Sequence, residues 1–392
     1  MIDESDSEPT VFETRAIHAG WEPDAETGAI MPPIYASSTF AQDAPGQDRG
    51  YEYSRTGNPT RTALEDNLAS LEGGSHGRAF ASGMAAINTV LNLLEAGDHV
   101  VVGQDVYGGT HRLFTQVYED YDLEFSFVDA TDPDELDAAM RPTTELVWIE
   151  TPTNPLLRVL DIEAVARVTH ANDALLAVDN TFATPYLQRP IEHGGDIVAH
   201  SLTKYLGGHS DVVGGALVTD DAELDERLGF YQNSVGATPD PFACFLVLRG
   251  IKTLPVRMDR HSETAMGLAS WLAEQPAVET VHYPGLATHP HHDVATRQMD
   301  DYGGMVSFDL DAPLQAVETF VSNTDVCTLA ESLGGVESLI EHPASMTHAA
   351  VPAAERRRNG ITDGLVRLSV GLEGVGDLRA DLEQALSVAI DG

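Results

Sequence analysis

Apolar positions along this chain fall into short continuous runs separated by stretches of helical spacing. From residue 61 onward, HVVVG, LEFSFVD, ELVWIE, ALLAVDN, DIVAHS and GGALVTD predict strands, each bounded by turn or polar residues. Between them PDELDAAM and DIEAVARVTHAND space their apolar residues three and four apart, as helices do. TALEDNLASLEGG predicts an amphipathic helix stopped at Gly73–Gly74, and GRAFASG leads into a second helix, MAAINTVLNLLEAGD, closing at Gly97. Unbroken apolar strands alternating with helices imply an α/β fold: a mostly parallel sheet covered by helices on both faces.

The ends of the chain follow a different pattern. Proline and glycine punctuate the stretch from about 11 to 60 (MPPIYASSTF, YSRTGNPT), which predicts an irregular arm over residues 1–54. Its first ten residues, MIDESDSEPT, are acidic and carry no apolar signal segment, so a disordered leader is expected there. Residues 55–248 form the expected large domain. A long helical stretch, FLVLRGIKTLPVRMDRHSETAMGLASWLAEQ, carries the boundary into a smaller α+β domain over 249–392, with strands in GGMVSFDL and GLVRLSVGL. A chain of 392 residues exceeds one typical core, in keeping with two domains.

Charge narrows the possible partners. With 22 basic and 62 acidic residues the net charge is −40, which argues against nucleic acid or an anionic membrane, both of which need a basic face. No run approaches the roughly 18 apolar residues needed to cross a bilayer. Such an acidic composition points to adaptation to molar salt, where screening removes most of the self-repulsion. The two cysteines, Cys244 and Cys327, have no metal-ligand spacing and suit a reducing cytoplasm. The histidines of HYPGLATHPHHDVA (His282, His289, His291, His292) have no i, i+4 pairing and are interrupted by prolines, so no metal site is expected.

The basic residues include only two lysines, Lys204 and Lys252. Lys204 lies in VAHSLTKYLGGHSDVVGG, between glycine clusters and just past a predicted strand. Ligands of open α/β sheets bind past the carboxyl ends of strands, and three further ends carry polar groups there. RAFASGM turns into a helix whose first N–H groups, at Gly83 and Met84, can hold a phosphate. WIETPTNP ends in Asn154 and LLAVDNTF in Asp179, while IVAHSLTK presents Ser201, Thr203 and Lys204. One ligand accounts for a lysine, a carboxylate and a phosphate cradle together: pyridoxal 5′-phosphate, held by a Schiff base, a pyridine-nitrogen partner and helix N–H groups.

These motifs resemble the pyridoxal-phosphate enzymes of cysteine and methionine metabolism, the trans-sulfuration family. The resemblance rests on YEYSRTGNPTR, ASGMAAI, DVYGGTHRLF, ETPTNP, VDNTFATPY, HSLTKYLGGHSDVVGG, RGIKTLPVRM, LAESLGGVESLIEHPASMTH and VRLSVGLE, and spans nearly the whole chain. It implies the aspartate-aminotransferase-like fold (fold type I). It makes Lys204 the Schiff-base lysine and proton shuttle, Asp179 the partner of the pyridine nitrogen and Asn154 a neighbour of the phenolic oxygen. Tyr107 would stack on the ring and assist proton transfer, with Gly83, Met84, Ser201 and Thr203 on the phosphate. Tyr53 and Arg55 would reach the phosphate of a neighbouring subunit, implying a dimer with shared active sites and an expected homotetramer. For an amino-acid substrate, Arg367 would clamp the α-carboxylate beside Ser332, and Glu331 would face a distal amino group.

Within the family, the pattern around Glu331 points to the cystathionine γ-synthase and γ-lyase branch, with γ-elimination or γ-replacement as the reaction. Methionine γ-lyases usually carry a cysteine where this chain has Gly109, and O-acetylhomoserine sulfhydrylases fit the pattern less well. The motifs do not separate synthase from lyase. A non-catalytic regulatory protein would require loss of a catalytic position, and none is missing. Neither a phosphate-binding GxxxxGK[ST] loop nor a strand followed by GxGxxG supports a nucleotide-dependent enzyme.

Overall fold

The computed structural model describes residues 10–349 and 353–391. The expected leader therefore lies almost entirely outside the described residues. Seven strands build the first sheet: β1 (His76–Phe80), β2 (His99–Gly103), β3 (Glu124–Val128), β4 (Thr144–Glu150), β5 (Leu175–Asp179), β6 (Ile197–Ser201) and β7 (Gly215–Thr219). Their order is β1-β7-β6-β5-β4-β2-β3. The ladder is parallel from β6 through β3, and β7 runs antiparallel to both neighbours. Each strand predicted for this sheet from its apolar run is present; the inner strands are buried nearly throughout and leave no polar alternation, while edge strand β3 is only partly buried. Helices cover the two faces with separate cores, one around Leu64, Leu68, Val198 and Met258, the other around Phe80, Phe114, Trp148 and Leu217.

A second sheet of five strands, β8 (Val278–His282), β9 (Met305–Leu310), β10 (Thr328–Leu329), β11 (Leu339–Glu341) and β12 (Leu365–Ser369), has the order β10-β11-β12-β9-β8. The C-terminal helix Val375–Asp391 packs on it through Leu378, Leu382 and Leu386.

Three expectations need correction. The long stretch after residue 244 is two helices, Pro241–Ile251 and Leu254–Leu272, broken at Lys252–Thr253. Pro255 has no N–H to donate back into the preceding turn, so it sits in the first turn of a new helix instead. The helix expected to run to Gly97 covers only Gly83–Leu91. Beyond it Leu93 is buried from a turn, so its apolarity serves the core without helical spacing. The N-terminal arm is not wholly irregular, since Phe12–His18 forms a helix that packs Ala16 into the core.

Candidate active site

A cavity of about 320 Å³ opens where β4, β5 and β6 end, with a second wall formed by residues 331–333, Thr347 and Arg367. Eleven of the thirteen residues singled out in the sequence meet there: Gly83, Met84, Tyr107, Asn154, Asp179, Ser201, Thr203, Lys204, Glu331, Ser332 and Arg367. Tyr53 and Arg55 do not line it. Both are exposed, with the Arg55 guanidinium 5.5 Å from the Tyr53 ring and its Nη1 donating to the Asn233 carbonyl at 2.6 Å.

Lys204 follows β6 in a tight turn, where its carbonyl accepts the Gly208 N–H at 2.7 Å. Its Nζ donates to Ser332 Oγ at 3.0 Å. Burial, and next the Arg367 guanidinium, bring its pKa down to about 8, against the opposing pull of Glu341, Glu331 and Asp179. A lysine near 8 keeps a usable fraction of neutral amine at physiological pH, as a nucleophile or base requires.

Asp179 closes β5, and its Oδ1 accepts the Thr181 N–H at 3.0 Å. Burial raises its pKa, while the hydrogen bonds from Thr181 hold the rise back. The helix Gly83–Leu91 is capped by Ser82, whose hydroxyl accepts the Ala85 N–H at 3.1 Å. The preceding N–H groups, at Gly83 and Met84, stand at the open end of the helix beside the cavity. A Cβ at Gly83 would come within 3.2 Å of Ser201 Cβ, so glycine allows the helix start and the end of β6 to close together. Thr203 ties the lysine turn to β7 by accepting the Gly214 N–H at 3.1 Å.

Arg367, on β12, is buried and held on three sides. Nη1 donates to Asn154 Oδ1 at 2.8 Å, Nη2 donates to the Ser332 carbonyl at 2.9 Å, and Glu341 Oε2 lies 3.1 Å from Nη2. Its Nε has no protein partner among the described residues. Ser332 adopts φ of 97°, a left-handed conformation that costs a non-glycine residue about 1–3 kcal/mol and accumulates at functional sites. That conformation coincides with its side chain meeting Lys204 and its carbonyl meeting Arg367.

Two buried carboxylates were not anticipated. Glu150, at the end of β4, accepts the Tyr107 N–H at 2.9 Å, and Glu341 accepts the Thr347 hydroxyl at 2.9 Å. ETPTNP and SLIEHPASMTH both drew attention as motifs, but a single glutamate in an acidic chain gives no local sign of burial. The histidine run serves packing: His291 Nδ1 accepts the Val159 N–H at 3.2 Å, and His282 pairs with Asp309 at 2.8 Å.

The donor set suits pyridoxal 5′-phosphate. An amine of lowered pKa, a half-buried carboxylate and an open helix start with neighbouring hydroxyls surround one cavity, and glycine at 83 leaves room between them. The comparisons agree. The family model for Cys/Met metabolism PLP-dependent enzymes matches residues 13–387. A cystathionine β-lyase of Coxiella burnetii is 54% identical over 96% of this chain and 97% of its own length. A cystathionine γ-synthase of Mycobacterium bovis is 55% identical over 95% and 96%. The crystal structure of cystathionine γ-lyase from Lactobacillus plantarum, complexed with L-serine, superposes with a TM-score of 0.95 at 50% identity, covering 97% of this chain and 99% of that one. The chain therefore belongs to the Cys/Met metabolism PLP-dependent enzyme family, with pyridoxal 5′-phosphate as its cofactor.

Proposed function

We propose that this protein is a trans-sulfuration enzyme acting at the γ-carbon of cystathionine or an O-acylhomoserine, as a γ-lyase or γ-synthase. One observation carries the reading: Lys204 Nζ, hydrogen-bonded to Ser332 at 3.0 Å, shares a cavity with buried Arg367 and half-buried Asp179. A basic amine thus stands between a carboxylate clamp for an amino acid and a carboxylate suited to a ring nitrogen. When bound, pyridoxal phosphate supplies an electron sink for the charge left on the substrate carbon.

The protein's side chains do the remaining work. Arg367, steadied by Asn154 and Glu341, presents a flat cation to the substrate α-carboxylate, with Ser332 beside it. Lys204 removes the α-proton as a neutral amine and returns protons farther along the substrate. Asp179 would keep a proton on the ring nitrogen. Gly83, Met84, Ser201 and Thr203 would hold the phosphate, and Tyr107 would lie against the ring. Glu331, exposed at the cavity rim, suits a distal amino group.

The exposed placement of Tyr53 and Arg55 supports their donation to a neighbouring subunit, hence a dimer with shared sites, assembled into a tetramer. The boundaries 1–54, 55–248 and 249–392 are supported by the sheets, since the strands of the first lie between 76 and 219 and those of the second between 278 and 369. A cytoplasmic setting and a requirement for high salt rest on the cysteine and charge composition.

Relatives 54% and 55% identical carry the names β-lyase and γ-synthase, so the bond broken is the point to test. Purified protein in high salt receives cystathionine alone, then an O-acylhomoserine with cysteine. Cysteine and 2-oxobutyrate from the first identify a γ-lyase, and cystathionine from the second a γ-synthase. Homocysteine and pyruvate from the first would overturn the γ-carbon assignment.

A further inference from the structure

Glu150 ends β4 and Asp179 ends β5, and the two are direct partners in the parallel ladder. Register partners on neighbouring strands point to the same face of a sheet, and both residues line the active-site cavity. Asp179 has an assigned task; Glu150 has none so far. Its contacts are specific. Oε2 accepts the Tyr107 N–H at 2.9 Å, and Oε1 accepts the Thr110 hydroxyl at 3.2 Å when the carboxyl is ionised, a hydroxyl that can turn and accept when it is not. Both partners belong to the start of the short helix Gly108–Leu113, whose N-cap is Tyr107 and has no side-chain cap of its own. Glu150 therefore does from another strand what a capping side chain does locally. It grips the backbone from which the Tyr107 ring reaches the cavity.

Two adjacent carboxylates, Glu150 buried and Asp179 half-buried, do not both stay charged near neutral pH. Asp179 has the Thr181 hydrogen bonds, and then the nearby His200 and Lys204, to favour its anion. For Glu150, burial and then the charge of Asp179 push the pKa well above the carboxylate range.

We propose that Glu150 is a positioning residue for Tyr107 and works as an un-ionised acid, its Oε2 accepting from the Tyr107 N–H and its Oε1–H donating to Thr110 Oγ1. Asp179 then remains the ionised member of the pair. This deepens the reading given above, since it takes Tyr107 to lie against the cofactor.

Glutamine reproduces both contacts of an un-ionised glutamate, with its carbonyl oxygen on Tyr107 and its amide N–H on Thr110. E150Q is therefore expected to keep kcat, KM, pyridoxal-phosphate affinity and the pH profile of the bound cofactor's absorbance within about twofold or 0.3 pH unit of wild type. E150A is expected to lower kcat at least about tenfold, with a smaller change in KM, and to weaken cofactor binding by the apoprotein. Amide exchange over residues 106–110 should accelerate in E150A and stay slow in E150Q. Should E150A fail to fold, E150D retains the acid but shortens its reach and is expected to show the same losses. An E150Q protein that falls as far as E150A, or whose pH profile moves by a unit or more, overturns the un-ionised state. Wild-type kcat and exchange in E150A, or in E150D where it stands in, overturn the positioning role. A wild-type protein that binds no pyridoxal phosphate would instead fail the underlying reading, before any variant is compared.

Discussion

Glu341 and Arg367 face each other across the antiparallel pair β11–β12, with Oε2 3.1 Å from Nη2 and both side chains at most 3% exposed. Arg367 is thus held in place before any substrate arrives, by an anion that the substrate carboxylate joins. The cost of removing one member of such a pair is high, because the other is left buried and uncompensated. We expect E341A to lose about 3 kcal/mol of stability by that principle, and to recover part of it when an amino-acid carboxylate binds. Thermal melts with and without a non-reacting amino acid check this. Equal melting temperatures for variant and wild type would remove Glu341 from the clamp.

Lys204 should govern how fast the apoprotein captures its cofactor. Only the neutral amine attacks the aldehyde, and its pKa is brought down to about 8. Capture followed by absorbance should therefore rise about tenfold per pH unit below 8 and level off above it. Because Arg367 is the charge that lowers that pKa, R367M should move the midpoint upward. A midpoint that stays in place would separate the two groups electrostatically.

His261 is fully buried and donates from Nδ1 to the Val370 carbonyl at 2.6 Å, while burial brings its pKa down to about 4. The unfolded chain binds this proton below about pH 6.5, and the folded chain does so only near 4. Stability owed to a neutral His261 is therefore present above 6.5 and is lost as the pH falls from 6.5 to 4. H261N keeps a donor for Val370 and removes the titration. The stability difference between wild type and H261N should shift against wild type by about 3 kcal/mol over that interval, measured by urea unfolding. A difference that is flat with pH would count against it.

Gly250 lets the helix Pro241–Ile251 touch the turn that carries Lys204. A Cβ there would stand 2.3 Å from the Gly207 carbonyl oxygen and 2.8 Å from that of Leu206, both backbone atoms that cannot rotate away. G250A should cost about 1–3 kcal/mol and weaken cofactor binding, because the lysine turn must shift. G376A, where a Cβ meets nothing within 4 Å, serves as the control and should be neutral or slightly stabilising. Similar melting temperatures for the two variants would deny the contact.

The inner strands of the first sheet were legible because a strand buried on both faces must be apolar throughout. β8, β10 and β11 escaped notice. VETVH is largely open to solvent, and β10 and β11 are only two and three residues long, too short for a pattern. The break between the helices Pro241–Ile251 and Leu254–Leu272 was equally hidden, since the apolar spacing runs on past it.

Local patterning and motif spacing were enough to indicate the parallel sheet, the lysine turn, the strand-end Asp179 and the helix start at Gly83, since each is written in a few consecutive residues. Which charged groups confront one another was settled by packing. Glu150 meets Tyr107 across 43 positions of chain, and Glu341 meets Arg367 only through the pairing of two strands. Burial decides whether a glutamate is a solvated surface charge or an un-ionised acid gripping a backbone. Burial belongs to the assembled elements, and no short stretch of sequence contains it.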